Sequence, residues 1–368
     1  MAPSRFLDDA FWNSQEPFIA APPEELPDVP SGIPELAGHV LFRTSGTTGK
    51  PKWVVLSKPA LLASAAAINA HLMVTADSVW GLALPVHHVG GFGVVVRTRQ
   101  AGCALKIFTQ RWQPADFRAW LEHNGVSHLS LVPTQVHDLV TAGLTAPGCL
   151  QAIVVGGGLL DEATGRAARG LGWPVLASYG LTEAASQVAT QPLAALQSTY
   201  SSWPVPLLPH WQTRLDANDC LEIHGPALFS GYWSDGNWVP TDPWFRTKDR
   251  AQLAARSLTV FGRADTLVKI LGELVDPFEI EHEITSLAAG KIPPASFVVI
   301  PLPDVRRGCK LVAAFDGEPP EDVITAYQAS APGFKRLADA LELAPFPRSA
   351  LGKPLRGEIA AAITRRFE

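Results

Sequence analysis

Only four cysteines occur in 368 residues, Cys103, Cys149, Cys220 and Cys309, far apart and without CxxC or Cys/His spacing. That scarcity excludes a disulfide framework and a zinc site of ordinary ligand spacing, and it suits a reducing cytosol. The expected location is therefore cytoplasmic. Long apolar runs are missing too: the longest, over residues 61–73, is about 13 residues and holds Asn69 and His71, whereas a membrane-spanning helix needs about 20. The N-terminal MAPSRFLDDAFWNSQEPF carries acids and has no apolar signal core, so neither export nor a membrane span is expected. Positive charge is not in excess. With 30 Lys+Arg against 35 Asp+Glu the net charge is −5, which leaves no global field to draw in nucleic acid. The 32 prolines and 30 glycines follow no short period, and 47% hydrophobic residues exclude wholesale disorder. What remains is a globular protein of two or three packed units whose partner is a small molecule.

Residues 19–37, IAAPPEELPDVPSGIPELA, hold too much proline for a regular element, so residues 1–38 are expected to form an extended lead-in on the surface, with the organised fold beginning near His39. From residue 104 short apolar runs alternate with longer amphipathic ones: ALKIF, PADFRAWLEHNG, SHLSLVP, TQVHDLVTAG, AIVVGG, DEATGRAARGLG and PVLASYG. That β-α-β-α-β-α-β order implies an α/β core of parallel strands with ligand sites at their carboxyl ends. Asp161 is placed to cap its helix and Gly172 to end it. Between about 203 and 262 short runs separated by turn signals suit a small antiparallel β unit. A last unit follows, ending in the helix-like RGEIAAAITRRF.

The most informative stretch is TSGTTGKPK over residues 44–52. Glycines let backbone approach a polyphosphate, hydroxyls and amides donate to it, and lysines offset its charge. The phosphate-binding candidates are Thr44, Ser45, Gly46, Thr47, Thr48, Gly49, Lys50 and Lys52. It is not a Walker A loop, because Pro51 follows Gly-Lys and the glycine spacing is too short.

This loop resembles the signature of the adenylate-forming superfamily of acyl-CoA synthetases, peptide-synthetase adenylation domains and luciferases. Four further blocks follow in the same order: YGLTE (179–183), WFRTKD (244–249), GRAD (262–265) and PRSALGK (347–353). The resemblance covers about residues 40–360. It implies an α/β adenylate-forming fold with an AMP-binding core over 39–264, shortened at its front and including the small β unit. A mobile α+β lid over 265–368 completes it. ATP, Mg²⁺ and CoA are the implied cofactors and co-substrates, with a small carboxylic acid as substrate.

The resemblance gives Thr182, Glu183, His88 and Lys353 catalytic roles. Glu183 is the kind of hard oxygen ligand Mg²⁺ uses on a nucleotide. Tyr179 and Gly180, with Gly157 and Gly158 after the strand AIVV, suit an adenine lying close to backbone. Asp249, an acceptor-only carboxylate, suits ribose hydroxyls, and Arg263 a nearby oxygen. Lys353 is implied to reach the bond formed when a carboxylate attacks the α-phosphate. Asp265 is the implied hinge, and Gly272 is implied to line the path of the thiol.

Residues 84–97, LPVHHVGGFGVVVR, narrow the resemblance to the o-succinylbenzoate-CoA ligases, as do SLVPTQ and YGLTEAASQ. The acid implied carries a second carboxylate, for which Arg97 is the natural partner. His88 is implied to line the acyl pocket, with Ser186 and Gln187 near the succinyl or keto oxygens. Two alternatives stay open: a ligase for another aryl or fatty acid, or one that loads a carrier protein; and a non-catalytic adenylate-binding protein. The 43 residues ahead of the phosphate loop are few for this family, so trimmed scaffold is expected, and the oligomeric state does not carry over.

Overall fold

The structure, a computed structural model, describes residues 2–22, 33–44, 52–349 and 352–367. It divides into two compact units. The first comprises Met1–Arg214, Glu222–Thr247 and Leu253–Thr259; the second comprises Leu215–Leu221, Lys248–Gln252 and Val260–Glu368.

The first unit is built on a six-stranded sheet ordered Ala104–Ile107, Val79–Leu82, His128–Leu131, Ala152–Val155, Val175–Leu181, Ser186–Thr190. The first five strands run parallel and the last turns back antiparallel. His128–Leu131 and Ala152–Val155 are buried at every position, as expected of parallel strands covered on both faces. Helices Pro114–His123, Pro133–Thr141 and Glu162–Gly170 join the strands that the sequence alternation predicts. Asp161 accepts from the Thr164 amide at 2.9 Å as an N-cap, and Gly172 takes φ +83° just past the helix end. Strand order reverses at Val79–Leu82, whose neighbours are the strands that follow it first and second in the chain. Such a switch point opens a crevice at the strands' carboxyl ends.

A second sheet of this unit, ordered Phe18–Ala20, His39–Thr44, Lys52–Ser57, Gly231–Ser234, Asn237–Pro240, corrects the reading of residues 1–38 as a surface lead-in. Phe18–Ala20 pairs in parallel with residues 40–42. Phe6 is completely buried, its ring 4.9 Å from both Phe11 and Phe92. Lys58 donates to the Phe11 carbonyl at 2.6 Å, and Arg99 donates to the Leu7 carbonyl at 2.7 Å and to Asp9 at 2.6 Å. The proline density of residues 22–34 hides the aromatic residues ahead of it, which supply apolar area enough to make the segment part of the core.

The predicted small β unit is a five-stranded sheet, Val205–Pro206, Ser257–Arg263, Phe245–Ala254, Cys220–His224, Gln212–Leu215, whose residues the division splits. Asp249, read from sequence as part of a core over 39–264, groups with the second unit, where Arg263 is its ion-pair partner.

The second unit carries a three-stranded sheet, Phe297–Asp304, Gly308–Phe315, Leu337–Glu342. Val299, Leu311 and Ala313 face a core shared with helices Pro277–Ala288 and Glu321–Ser330. Val298, Val312 and Ala314 face another, closed by Ile359 and Ile363 of helix Arg356–Phe367. The strict alternation is the period-2 geometry of a strand covered on both faces. Among the described residues no helix is long and apolar enough to cross a membrane.

Phe6→Ala is expected to lower the free energy of unfolding by about 3–5 kcal/mol, the cost of emptying a closed aromatic site. Chemical denaturation measures it. A change near zero would mean that the N-terminal segment is not part of the core.

Candidate active site

Thr44 and Lys52 face each other in register across the antiparallel strands His39–Thr44 and Lys52–Ser57, with the Thr44 hydroxyl donating to the Lys52 carbonyl at 3.3 Å. Ser45, Gly46, Thr47, Thr48, Gly49 and Lys50 lie outside the described residues. The Lys52 ammonium sits 5.6 Å from the ring centre of Tyr232, whose hydroxyl donates to Glu183 Oε1 at 2.8 Å. Tyr232 reaches this position because Gly231–Ser234 pairs with Lys52–Ser57, setting Tyr232 opposite Val54. Sequence reasoning missed it: SGYWSDGNW carries only a β signal, and a lone tyrosine has no spacing that marks it.

Glu183 lies in the helical turn Thr182–Ala184 directly after strand Val175–Leu181. The backbone then reverses sharply. Ala185 takes φ 50°, ψ 25° and Ser186 φ 120°, conformations that side chains other than glycine rarely adopt. Gly180 makes the reversal possible, since a Cβ there would lie 1.9 Å from the Ser186 carbonyl oxygen. Gly157, at φ +78°, and Gly158 are exposed past the end of Ala152–Val155. Tyr179 is half-buried, its ring 6.4 Å from that of Trp203.

The acid-side candidates converge. His88 is the N-cap residue of helix Val89–Ala101, which follows the carboxyl end of the switch-point strand Val79–Leu82. Arg97, two turns along that helix, is 1% exposed. Its Nη1 donates to Ser130 Oγ at 2.9 Å, and its Nη2 donates to Ser186 Oγ at 3.4 Å and to Gln187 Oε1. The guanidinium lies 5.3 Å from the Trp80 ring centre. Among the described residues no carboxylate pairs with it, and burial pushes its pKa down to about 9, so it stays charged at neutral pH. Sequence reasoning placed Arg97, Ser186 and Gln187 in one site and the structure brings them together. It gave no role to Ser130, the first residue of SLVPTQ, or to Trp80, which lies in no motif.

In the second unit Arg263 donates from Nε and Nη2 to the two Asp265 oxygens, both at 2.9 Å, and from Nη1 to Asp249 at 3.3 Å. Lys248 approaches Asp265 at 3.5 Å. Burial raises the Asp265 carboxyl, but Arg263 and Lys248 outweigh it and hold it below the ordinary range. The Lys353 backbone closes a turn with Ser349, donating to its hydroxyl at 3.2 Å and accepting from its amide at 2.8 Å. Lys353 is solvent-exposed as a residue, yet desolvation pushes the pKa of its ammonium down, with the charges of Arg263 and Arg356 adding to the shift and Asp249 opposing it. Asp249, Arg263 and Lys353 thus act on one another electrostatically. Gly272 occupies the turn between strands Val268–Ile270 and Glu273–Val275 at φ +92°, with open space where a Cβ would lie.

The donor set fits a nucleotide-bound Mg²⁺ better than a protein-caged one. Among the described residues no group of three metal-ligating side chains exists, and Glu183 offers a single partly exposed carboxylate held by Tyr232. That is the usual arrangement when phosphates and waters supply the other ligands.

A family model described as AMP-binding enzyme matches residues 9–233. The chain is 32% identical over 277 residues to the 2-succinylbenzoate--CoA ligase of Salmonella typhimurium, covering 74% of this chain and 57% of that one. The Escherichia coli enzyme of the same name is 30% identical over 276 residues. The chain therefore spans just over half the length of these relatives. Among solved structures, a variant of E. coli MenE with bound OSB-AMS superposes with a TM-score of 0.72 at 26% identity, over 89% of this chain and 68% of that one. ATP-bound MatB from Rhodopseudomonas palustris shares the fold, with a TM-score of 0.75 at 23% identity.

A double-mutant cycle on Tyr232→Phe and Glu183→Gln, read by urea unfolding, is expected to give a coupling energy of about 1 kcal/mol or more for their hydrogen bond. Strict additivity would show that the contact contributes nothing.

Proposed function

Because the chain belongs to the AMP-binding enzyme family, we propose that it is an AMP-forming acid–CoA ligase whose acid is o-succinylbenzoate, acting in menaquinone biosynthesis in the cytoplasm. The observation that carries the choice of acid is Arg97, a buried guanidinium whose hydrogen-bond partners among the described residues are all neutral. A monoacid has no second charge to set against it, whereas o-succinylbenzoate has a carboxylate to spare. Ser186 and Gln187 can turn hydroxyl and amide donors toward that carboxylate while Arg97 supplies the charge. The relatives named 2-succinylbenzoate--CoA ligase support the same acid.

The reaction has two steps. An oxygen of the acid's reacting carboxylate attacks the α-phosphorus of ATP, the bond to the β-phosphate oxygen breaks, and pyrophosphate leaves. The thiol of CoA then attacks the acyl carbon of the adenylate, loses its proton, and expels AMP. Bound Mg²⁺ would offset phosphate charge, with Glu183 as its protein ligand. The loop over residues 44–52 would cradle the phosphates, and Gly157, Gly158, Tyr179 and Gly180 would frame the adenine. Asp249 and Arg263 would hold the ribose, while His88 would line the acyl pocket and Thr182 would meet a phosphate oxygen.

The first step brings two anions together. One cation at about 4 Å is worth roughly 4 kcal/mol at an effective dielectric near 20, about three decades in rate when it acts in the transition state. Lys353 fills that role in this reading. The lid over 265–368 turns about Asp265 between the two steps, and Gly272 lines the path of the pantetheine arm.

A coupled AMP-release assay with ATP, Mg²⁺ and CoA should favour o-succinylbenzoate over benzoate and a medium-chain fatty acid, and Arg97→Ala should abolish that preference. Equal turnover of the monoacids by the wild type would remove the assignment of the acid and leave the ligase class. Lys353→Ala should lower acid-dependent pyrophosphate exchange about a thousandfold while ATP binding, measured by calorimetry, persists. Near-normal exchange would sink the assignment of Lys353.

A further inference from the structure

Helix Lys58–His71 touches both halves of the acid site without contributing a residue to it. Ser64, 3% exposed, donates from Oγ to the Ala185 carbonyl at 3.0 Å. Asn69, five residues on, donates from Nδ2 to the Arg97 carbonyl at 2.8 Å and to Gln100 Oε1 at 2.7 Å. One helix therefore grips the peptide just before Ser186 and Gln187, and also the main chain of the arginine that those two residues hold. The same helix begins six residues after Lys52 and is capped by Ser57, which accepts from the Ala60 amide at 3.2 Å.

The Ala185–Ser186 peptide needs such a grip. Two successive residues with a Cβ sit at φ 50° and 120°, each in a conformation that costs about 1 kcal/mol or more unless its surroundings impose it. Relaxation of either would swing the Ser186 hydroxyl and the Gln187 amide away from Arg97. Glu183 is attached two residues upstream. Its backbone carbonyl is tied separately, accepting from the Phe229 amide at 2.8 Å, and Tyr232 holds its carboxylate. The Ser64 contact therefore bears on the acid side of the turn more than on the nucleotide side.

We propose that Ser64 and Asn69 are positioning residues for acid selection: Ser64 holds the left-handed Ala185–Ser186 turn and Asn69 the Arg97 main chain, together fixing the guanidinium against Ser186 and Gln187. This rests on the reading that Arg97 selects an acid with a second carboxylate. Neither residue touches substrate; each sets the geometry of groups that do.

The test combines kinetics and crystallography on the full chain. Ser64→Ala is expected to lower kcat/KM for o-succinylbenzoate about fivefold to tenfold, the worth of one buried hydrogen bond, mainly through KM. For benzoate the loss should stay below about twofold. Adding Ala185→Gly, which takes a left-handed φ without strain, should restore most of the preference. Asn69→Leu should shift the same ratio in the same direction. Equal losses for both acids, or none, would overturn the proposal in favour of a general structural role. A crystal structure of Ser64→Ala decides the geometry independently of any acid. Loss of the Arg97–Ser186 contact with relaxation of Ala185 supports the proposal, and retention of both refutes it. Wild-type indifference to the second carboxylate would instead strike at the identity of the acid, leaving the crystallographic comparison to judge the positioning.

Discussion

A positive charge sealed inside the first unit, without an acidic partner among the described residues, is the constraint around which the candidate site is arranged. Burying an ion costs several kcal/mol even after relaxation, and Arg97 meets that cost with three neutral acceptors and an indole face. Those partners come from three different strands, Val79–Leu82, His128–Leu131 and Ser186–Thr190. The arginine therefore fixes how the switch-point strand, its neighbour and the antiparallel return strand stand relative to one another. An internal carboxylate would neutralise the guanidinium, whereas its neutral partners leave its field uncancelled. The sharp turn at Ala185 and Ser186 brings the return strand back to the guanidinium.

The second unit handles its charges in the opposite way. Arg263 is chelated by Asp265 and flanked by Asp249, and Arg356 pairs with Glu281 at 2.6 Å while lying 3.9 Å from the Phe278 ring centre. Glu281 also accepts from the Val299 amide at 2.6 Å, which ties helix Pro277–Ala288, strand Phe297–Asp304 and the start of the last helix at one point. Desolvation lowers the proton affinity of Lys353, and the charges of Arg263 and Arg356 lower it further against the opposing pull of Asp249.

The parallel core was legible because its strands are buried on both faces and read as bare apolar runs, AIVV being the clearest, and because Asp161 and Gly172 punctuate a helix in the standard way. The candidate charged positions were picked out by ordered motifs, and of these the structure brings Arg97 together with Ser186 and Gln187. What escaped is what has no local signature. Ser64 and Asn69 lie in an Ala-rich helix where a serine or asparagine reads as filler, and their importance depends on a turn more than a hundred residues away. Tyr232 matters only through a strand pairing, and Phe6 was concealed by proline-rich sequence after it. Side chains that act through tertiary contact alone leave no periodicity or spacing to detect.

Strand Lys52–Ser57 is completed on one side by His39–Thr44 and on the other by Gly231–Ser234, with 173 residues between it and the second partner. During synthesis at about 5–20 residues per second, that edge, bearing the buried residues Val54 and Val55, stays unpaired for roughly ten seconds or more after it leaves the ribosome. An open apolar edge is a template for pairing with other chains. The pairing that sets Tyr232 opposite Val54 thus leaves the nascent chain with an unpaired edge for that interval, a burden of biogenesis that the finished fold no longer shows.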